Sequence, residues 1–389
     1  MIRAGVGYSH NNSTVEAIEQ AVTTAMSNAK IAKADLVFVF ATINYASEYQ
    51  QIFKGVKDIS GSDCLVGCSG MSILTSAGEF EGQSAIGVLV VRSDQFSTHP
   101  FLETKNDISS ISTIIDNHVS TKENSILTIF PDVRNTVPKQ LIQKIKAQQF
   151  TVPIVGAAAS GNPITGQAHQ WCREKMVESS ASGALLTGSF HIEVGVAQGC
   201  QPFGKASEIT RVDGNKILEL NEIPALEALQ KSLELLTEED IRRSGGMVFL
   251  GMAMDDSNQS PEIGDYLIRN IVSIDRDSSS IESAEHITEG QIVRFHLRTP
   301  YAARQEIQTI INRMSQSTQQ HPPAFGLYFN CLGRGTGLYG EKNYDIEIIK
   351  TKFPDLPIIG FFGNAEYAPI SNQNFMHAYT GAFVTCSEE

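Results

Sequence analysis

The chain has 389 residues, of which 41% are hydrophobic, and this composition is typical of a globular protein with substantial cores. Its formal net charge is −13, which argues against broad binding to nucleic acids or anionic membranes because both need clustered Lys and Arg. No apolar run reaches the roughly 18 residues of a membrane span, and residues 1–8 lack the pattern of a secretory signal, so we expect a cytoplasmic protein.

The same order of predicted elements occurs three times along the chain. Each copy has an apolar strand, an amphipathic helix, a second apolar strand that ends in a glycine-rich turn, and a third strand. The first copy comprises residues 36–40, 47–59, 65–70 and 85–91. The second comprises residues 126–130, 138–149, 154–161 and 183–186. The third comprises residues 325–329, 343–353, 358–364 and 379–384.

The strands of all three copies are near-continuous apolar runs, which is typical of strands covered on both faces. The predicted fold is therefore α/β, with repeated strand–helix–strand units that form mixed sheets flanked by helices. Equivalent units place their turns at equivalent strand ends. We therefore expect the turns at Gly67, Gly156 and Gly360 to line one pocket.

A different pattern separates the second copy from the third. A helix is predicted over residues 223–236, and Gly246 breaks the chain before the next strand. The elements that follow are strands at residues 247–251, 267–274 and 291–297 and a helix at residues 301–314. This change of pattern predicts two domains, residues 1–222 and residues 223–389.

The most polar strand exit of the chain is the segment 330–340. Arg334 lies there between Gly333 and Gly335, where a guanidinium group can hold a carboxylate or phosphate through two hydrogen bonds. Gly335 also begins a G-x-G-x-x-G pattern, but a dinucleotide fold needs an acidic residue at the end of the next strand, which here ends at Asn364. The segment is interpreted as a ligand cradle or as a mobile surface loop.

Other polar residues also lie where a predicted strand ends. The carboxylate of Glu366 follows a strand-end turn, where it would receive a ligand ammonium group, pair with Arg334, or simply be solvated. The predicted ligand contacts are Cys68, Ser69, Asn330, Cys331, Gly333, Arg334, Gly335, Gly363, Asn364 and Glu366.

The cysteines and histidines form no recognisable catalytic or metal-binding pattern. Cys331 would need a base such as His377 to act as a nucleophile, and the alternative is a buried, unreactive thiol. The six cysteines contain no C-x-x-C pair, which favours a reducing compartment. Because His286 and His296 lack the spacing of a zinc site, no metal is expected.

Short segments spread over nearly the whole chain match one family in its order. They are Cys331-Leu-Gly-Arg-Gly335, Gly360-Phe-Phe-Gly-Asn-Ala-Glu366 and residues 66–70, 197–204, 214–227, 266–270 and 289–298. The chain therefore resembles the FIST family (F-box and intracellular signal transduction), through both its N- and C-terminal domains and without an F-box. Ala365 departs from the family pattern, which has a glycine in this final turn.

The resemblance implies a sensory module that binds a small ligand and is not an enzyme. Arg334 would hold an acidic group and Glu366 a basic one, and an amino acid or similar metabolite carries both. A separate protein such as a histidine kinase would then carry the signal. Some similar proteins are haem-binding nitric-oxide sensors, although residues 67–72 lack their threonine-rich turn. A haem sensor, a cysteine-dependent enzyme that uses Cys331, and an interaction scaffold are the alternatives.

Overall fold

The repeated sequence pattern forms three equivalent sets of strands and helices. A computed structural model describes residues 1–104, 107–120, 123–135, 137–146, 152–255, 261 and 264–389. Repeat 1 contains β1 (Ile2–Ser9), α1 (Thr14–Ala29), β2 (Leu36–Thr42), α2 (Tyr49–Ser60), β3 (Leu65–Gly70), β4 (Ile73–Thr75), β5 (Gly78–Phe80) and β6 (Ile86–Ser93). Repeat 2 contains β7 (Phe96–Glu103), α3 (Ser109–His118), β8 (Asn124–Pro131), α4 (Val137–Lys146), β9 (Ile154–Ala157), β10 (His169–Cys172), β11 (Lys175–Glu178) and β12 (Ala181–Gly188). The predicted helix over residues 138–149 is α4, and its last three residues lie outside the described part of the chain.

The third repeat is interrupted in sequence. It begins with β13 (Phe190–Ala197), after which the chain forms β14 (Cys200–Asp213), β15 (Lys216–Leu220), β16 (Ile223–Pro224), α5 (Ala225–Leu233), α6 (Glu238–Ser244), β17 (Val248–Ala253), β18 (Tyr266–Asp275), β19 (Ser280–Ser283) and β20 (Ile292–Arg298). Repeat 3 resumes with α7 (Pro300–Ser317), β21 (Pro323–Cys331), α8 (Thr336–Tyr339), α9 (Tyr344–Lys350), β22 (Ile358–Gly363), β23 (Glu366–Ile370), β24 (Gln373–His377) and β25 (Gly381–Glu388).

The described residues divide into two units. Unit 1 consists of Met1–Val196, Gln308–Met376 and Thr380–Glu389, and it contains repeats 1 and 2 and most of repeat 3, whose residues 197, 300–307 and 377–379 belong to unit 2. Unit 2 consists of Ala197–Ile307 together with His377–Tyr379. The predicted boundary after residue 222 refers to sequence domains and stays a prediction, whereas the chain enters unit 2 at Ala197.

Each repeat of unit 1 supplies the centre of a six-stranded mixed sheet. The strand orders are β1-β6-β2-β3-β10-β11, β7-β12-β8-β9-β23-β24 and β13-β25-β21-β22-β4-β5. In every sheet the first two predicted strands pair in parallel and the third joins them antiparallel, as in β2 with β3 and β6. The predicted α/β fold with mixed sheets flanked by helices is therefore confirmed.

A hairpin is exchanged between the repeats. The hairpin β4–β5 leaves repeat 1 and joins the sheet of repeat 3, while β10–β11 joins the sheet of repeat 1 and β23–β24 joins the sheet of repeat 2. The exchange is cyclic, so each sheet is completed by a hairpin from another repeat. The inner faces of all three sheets then pack into one shared core.

Helices cover the outer faces of these sheets because their apolar residues recur at helical spacing. In α1 the buried Ala17, Ala21 and Ala25 follow one another at four-residue intervals and pack with the outer residues of β2 and β6. In α2 the buried stripe comprises Tyr49, Ile52, Phe53 and Val56. Within the described part of the chain, no helix is both long enough and apolar enough to cross a membrane.

Unit 2 is built around a separate sheet. Its strands follow the order β14-β20-β17-β18-β19-β15-β16, and an additional pairing of β14 with β15 closes this order into a ring. The helices α5 and α6 connect β16 to β17. A capping box at Thr237 and Asp240 begins α6, and Gly245 ends it in the left-handed conformation.

Candidate functional site

The three glycine-rich turns meet within unit 1, as the repeat predicts. The hydroxyl of Ser69 donates to the carbonyl of Ser160 at 3.0 Å, and the hydroxyl of Ser160 donates to the carbonyl of Phe362 at 2.5 Å. Both serine side chains are fully buried. The turns therefore form hydrogen bonds with one another. These serine hydroxyls are used in contacts between the turns at the place where a common pocket was expected.

Aromatic rings fill the space beneath the turns. Phe40, Phe130 and Phe329 occupy equivalent positions on the first strand of each repeat, and the ring centres of Phe40 and Phe130 are 5.1 Å apart. Phe361 packs against all three, with its ring centre 4.8 Å from that of Phe40. The space beneath the turns is thus a packed aromatic core.

Arg334 lies in a buried polar cluster at the carboxyl end of β21. Its side chain has no exposed surface, and its Nε and Nη2 donate to the two carboxylate oxygens of Asp345 at 3.0 Å each. Asp345 also accepts hydrogen bonds from the hydroxyl of Tyr328 at 2.9 Å, the hydroxyl of Tyr339 at 2.7 Å and the amide of Asn330 at 3.1 Å. Burial opposes ionisation of Asp345, but the Arg334 charge and these donors hold its pKa below the usual value.

Asp345 was absent from the sequence-based site, although two patterns point to it. It lies four residues before the buried Ile349, so it belongs to the apolar face of α9. Tyr328 and Asn330 alternate on a strand that was predicted to be apolar on both faces, so they share one face and need a buried partner. Both patterns become informative only once α9 is known to cover β21.

A second carboxylate, Glu79 of the exchanged hairpin, extends this cluster. Its Oε1 accepts a hydrogen bond from the backbone of Ile346 at 3.1 Å, and its Oε2 is buried without a hydrogen-bond partner among the described residues. Burial, followed by the nearby charge of Asp345, raises the pKa of Glu79 to about 8. One arginine therefore faces two buried carboxyl groups, and the structure favours a protonated Glu79 at neutral pH.

The glycine-rich segment that carries Arg334 is fixed rather than open. Glu81 accepts hydrogen bonds from the backbone and hydroxyl of Thr336, at 3.0 and 2.8 Å. Gly335 has a φ of 64°, a left-handed conformation that favours glycine, and a side chain there would also displace the Glu81 carboxylate, which lies 2.8 Å from the position of a Cβ. These contacts do not favour the interpretation of this segment as a mobile surface loop.

The remaining predicted contacts are also buried or internally bonded. Glu366 is fully buried, and its carboxylate accepts a hydrogen bond from the backbone of Thr380 at 3.2 Å. Asn364 donates from its amide to the carbonyl of Ala159 at 2.9 Å. A side chain at Gly363 would come within 2.5 Å of Ala157, which shows how tightly the turns pack. The ligand role of the predicted residues stays a prediction.

The cysteine side chains are poorly placed for nucleophilic chemistry. Burial raises the pKa of Cys172 to about 11, that of Cys64 and Cys386 to about 12, and that of Cys68 well above its ordinary value. Cys331 is buried as well. Because the thiolate is the reactive form, these surroundings do not favour Cys64, Cys68, Cys172 or Cys386 as a nucleophile. The described residues also contain no group of three or more metal-ligating side chains.

An open cleft of about 970 Å³ lies elsewhere in unit 1, along β1 and α1 on one side and the β4–β5 turn and residues 353–357 on the other. Its charged lining residues are Arg3, Lys30 and Asp355. No ion-pair partner for these three is found in the part of the chain that the structure describes. The cleft therefore offers positive and negative groups to a ligand, and none of its lining was part of the sequence-based site.

The family model of the FIST N domain matches residues 35–223, and that of the FIST C domain matches residues 225–369. An uncharacterized protein of Mycobacterium tuberculosis is 25% identical over 98% of both chains, and an uncharacterized protein of Mycobacterium bovis is 24% identical over the same share. A crystal structure of a cyanuric acid hydrolase from A. caulinodans aligns with 48% of this chain and 71% of its own, with 8% identity and a TM-score of 0.28, which supports no inference.

Proposed function

The chain belongs to the FIST family, and from that premise we propose that it is a non-enzymatic sensor of an amino acid or a similar small metabolite. FIST domains are recognised as small-ligand sensory domains of signal transduction. The observation that carries the finer proposal is the open cleft of unit 1, because it combines cationic and acidic side chains in a volume suited to a small molecule.

The charges of the cleft match the two ionic groups of an amino acid. Arg3 and Lys30 are exposed cations that would receive a carboxylate, and Asp355 is an exposed acid that would receive an ammonium group. These charges stand out because the whole chain is acidic, with a net charge of −13. An anionic group entering the cleft would meet a locally more positive surface.

The cleft is a better candidate than the predicted site around Arg334. A ligand carboxylate at Arg334 would have to displace Asp345, which is fully buried and accepts several other hydrogen bonds. Breaking such a pair typically costs about 3–5 kcal/mol, which is a large share of the affinity of a small ligand. We therefore assign recognition to the cleft and a stabilising role to the Arg334–Asp345 pair. The response would pass to a separate signalling protein such as a histidine kinase.

Isothermal titration calorimetry with the twenty amino acids tests the proposal. We expect one or a few of them to bind saturably without being consumed. The variants Arg3→Gln and Asp355→Asn should each weaken binding about tenfold or more, which corresponds to about 1.4 kcal/mol. Arg276→Gln, which changes an exposed arginine of unit 2, is the matched control and should bind like wild type.

Two results would count against this assignment. Equal affinity of wild type and both cleft variants would place the ligand elsewhere, and turnover of the bound compound would argue for an enzyme. An absorbance spectrum of the same sample tests the haem alternative, which predicts a Soret band in the freshly purified protein.

A further inference from the structure

Unit 2 contains a pocket of a different character. It measures about 750 Å³ and is lined by residues of α5, α6, β17 and β18, with contributions from β20 and the segment His377–Tyr379. This volume lies in the range of pockets that enclose small organic ligands. The site is independent of the cleft in unit 1 and shares no lining residue with it.

None of the described residues that line this pocket is charged. Charged residues make up 19% of the chain, and the cleft of unit 1 has three among its lining residues, so the absence separates the two sites chemically. A charged group would lose its hydration here without gaining an opposite charge. The pocket therefore selects against ionic ligands.

The pocket has a buried apolar floor and an exposed apolar rim. Leu229, Phe249 and Leu297 form the floor, with at most 3% of their surface exposed. The rim consists of Ile241, Met247, Val272 and Ile274, whose side chains are 45–55% exposed. Exposed apolar side chains that converge on one concavity, instead of being scattered singly, mark a surface that a ligand or partner covers.

One end of the pocket is polar but neutral. The hydroxyl of Tyr379 donates to the side-chain oxygen of Asn270 at 2.7 Å, which fixes the Asn270 amide at the pocket edge. The Tyr379 ring packs edge-on against Phe249 with ring centres 4.7 Å apart, and Arg298 lies 5.0 Å from its centre on the side of the ring face. These contacts hold Tyr379 in a left-handed backbone conformation with a φ of 64°, which is rare for a tyrosine.

We propose that this pocket binds a small, uncharged, mainly apolar molecule that carries one hydrogen-bonding group. The apolar body would lie on Phe249 and Leu297 and cover the exposed rim, and the polar group would meet Asn270 and Tyr379. The cavity volume favours a small molecule over a protein helix, since the concavity is of the size that such ligands fill. The sensor would then have two chemically distinct inputs, one in each unit.

Fluorescence titration with the neutral dye N-phenyl-1-naphthylamine tests the proposal on the full-length protein. We expect saturable binding of one dye per chain with a blue shift, and weaker binding of the anionic 1-anilinonaphthalene-8-sulfonate. The double variant Met247→Glu/Val272→Glu places charge on the exposed rim and should weaken dye binding at least tenfold. Val15→Glu is the matched control, because Val15 is a 56% exposed apolar residue of unit 1, and it should bind the dye like wild type.

Three outcomes would overturn the proposal. The first is that wild type shows no saturable dye binding, and the second is that the rim variant binds the dye as tightly as wild type. The third is that wild type is a dimer in analytical ultracentrifugation and the rim variant is a monomer, which would make the rim a contact between two copies of the chain. Circular dichroism establishes that the rim variant is folded. If folding fails, the milder Tyr379→Phe variant replaces it. This variant is titrated with Nile red, a probe that accepts a hydrogen bond. An affinity for Nile red equal to that of wild type would contradict the assigned polar end. Amino-acid binding by the cleft is measured separately, so either proposal can fail alone.

Discussion

At the scale of single residues, Asp345 is the side chain on which the buried cluster of unit 1 depends. It is the ionic partner of Arg334 and also accepts hydrogen bonds from both tyrosines of the cluster. Asp345→Asn would leave the Arg334 guanidinium buried without its charge partner, so we expect a loss of about 3–5 kcal/mol in the free energy of unfolding. Urea denaturation measures this loss.

The exposed Asp355 provides the control for that experiment. Asp355→Asn changes an acid to an amide without touching a buried group, so its free energy of unfolding should stay within about 0.5 kcal/mol of wild type. A similarly small effect of Asp345→Asn would mean that the Arg334–Asp345 pair contributes little to stability.

Glu79 gives the cluster a defined pH dependence. Its folded-state pKa of about 8 lies above the ordinary carboxyl pKa of 4.5. Between these two pH values the folded state keeps a proton that the unfolded state releases, so stability falls as the pH rises through this window and levels off above it. A difference of one between the folded-state and unfolded-state pKa corresponds to on the order of 1.4 kcal/mol in the free energy of unfolding.

Glu79→Gln isolates this contribution, because glutamine keeps the acceptor for the Ile346 backbone and cannot ionise. In urea unfolding the variant should match wild type near pH 4 and be more stable than wild type near pH 9. Glu19→Gln, on the exposed side of α1, should instead follow the wild-type profile. Parallel profiles for Glu79→Gln and wild type would show that Glu79 does not titrate in this window.

At the scale of elements, a glycine at one register position holds each repeat together. Gly67, Gly156 and Gly360 pair with Val39, Ile129 and Tyr328 of the adjoining parallel strand. A Cβ at any of the three glycines would come within 1.9 Å of the carbonyl oxygen of its paired residue. On the other side, the exchanged hairpins place Trp171, Tyr367 and Leu74 opposite the same three glycines. The missing side chain therefore allows close strand packing and leaves room for a large residue from another repeat.

Gly360→Ala tests this role by steric clash alone. The added methyl group would meet the backbone oxygen of Tyr328 at 1.7 Å, so strands must separate, and we expect a loss of about 3 kcal/mol or more in the free energy of unfolding. Gly337→Ala is the matched control, since nothing lies within 4 Å of a Cβ there, and it should be tolerated. A tolerated Gly360→Ala would contradict the proposed packing.

The elements that the sequence predicted correctly are those defined by local periodicity. The apolar runs, the amphipathic helices and the glycine turns of the three copies all recur in the structure, and the predicted mixed sheets are confirmed. The destination of the hairpins was not predictable, because a short strand carries no local signal for which distant sheet it joins. The pairing of Arg334 with Asp345 was not predictable for the same reason, since the two residues meet only through the packing of α9 on β21.

At the scale of the whole molecule, the cyclic hairpin exchange predicts how unit 1 unfolds. Separate repeats with local contacts would unfold one by one. Here each sheet is completed by a hairpin from another repeat and all three share one core, so the repeats should lose structure together. Trp171 is a suitable reporter because it is the single tryptophan of the chain, belongs to repeat 2 and pairs in the sheet of repeat 1.

Leu74→Ala provides the perturbation, since Leu74 is a fully buried residue of the hairpin that repeat 1 contributes to the sheet of repeat 3. The cavity should destabilise the protein by about 2–5 kcal/mol. Leu74 is paired only in the third sheet. If the repeats are coupled, the substitution nevertheless lowers the urea midpoint reported by Trp171 fluorescence, and it lowers the hydrogen-exchange protection of both β8 and β21. Loss of protection confined to β21, with Trp171 unaffected, would mean that the exchanged hairpins connect the repeats without coupling their stability.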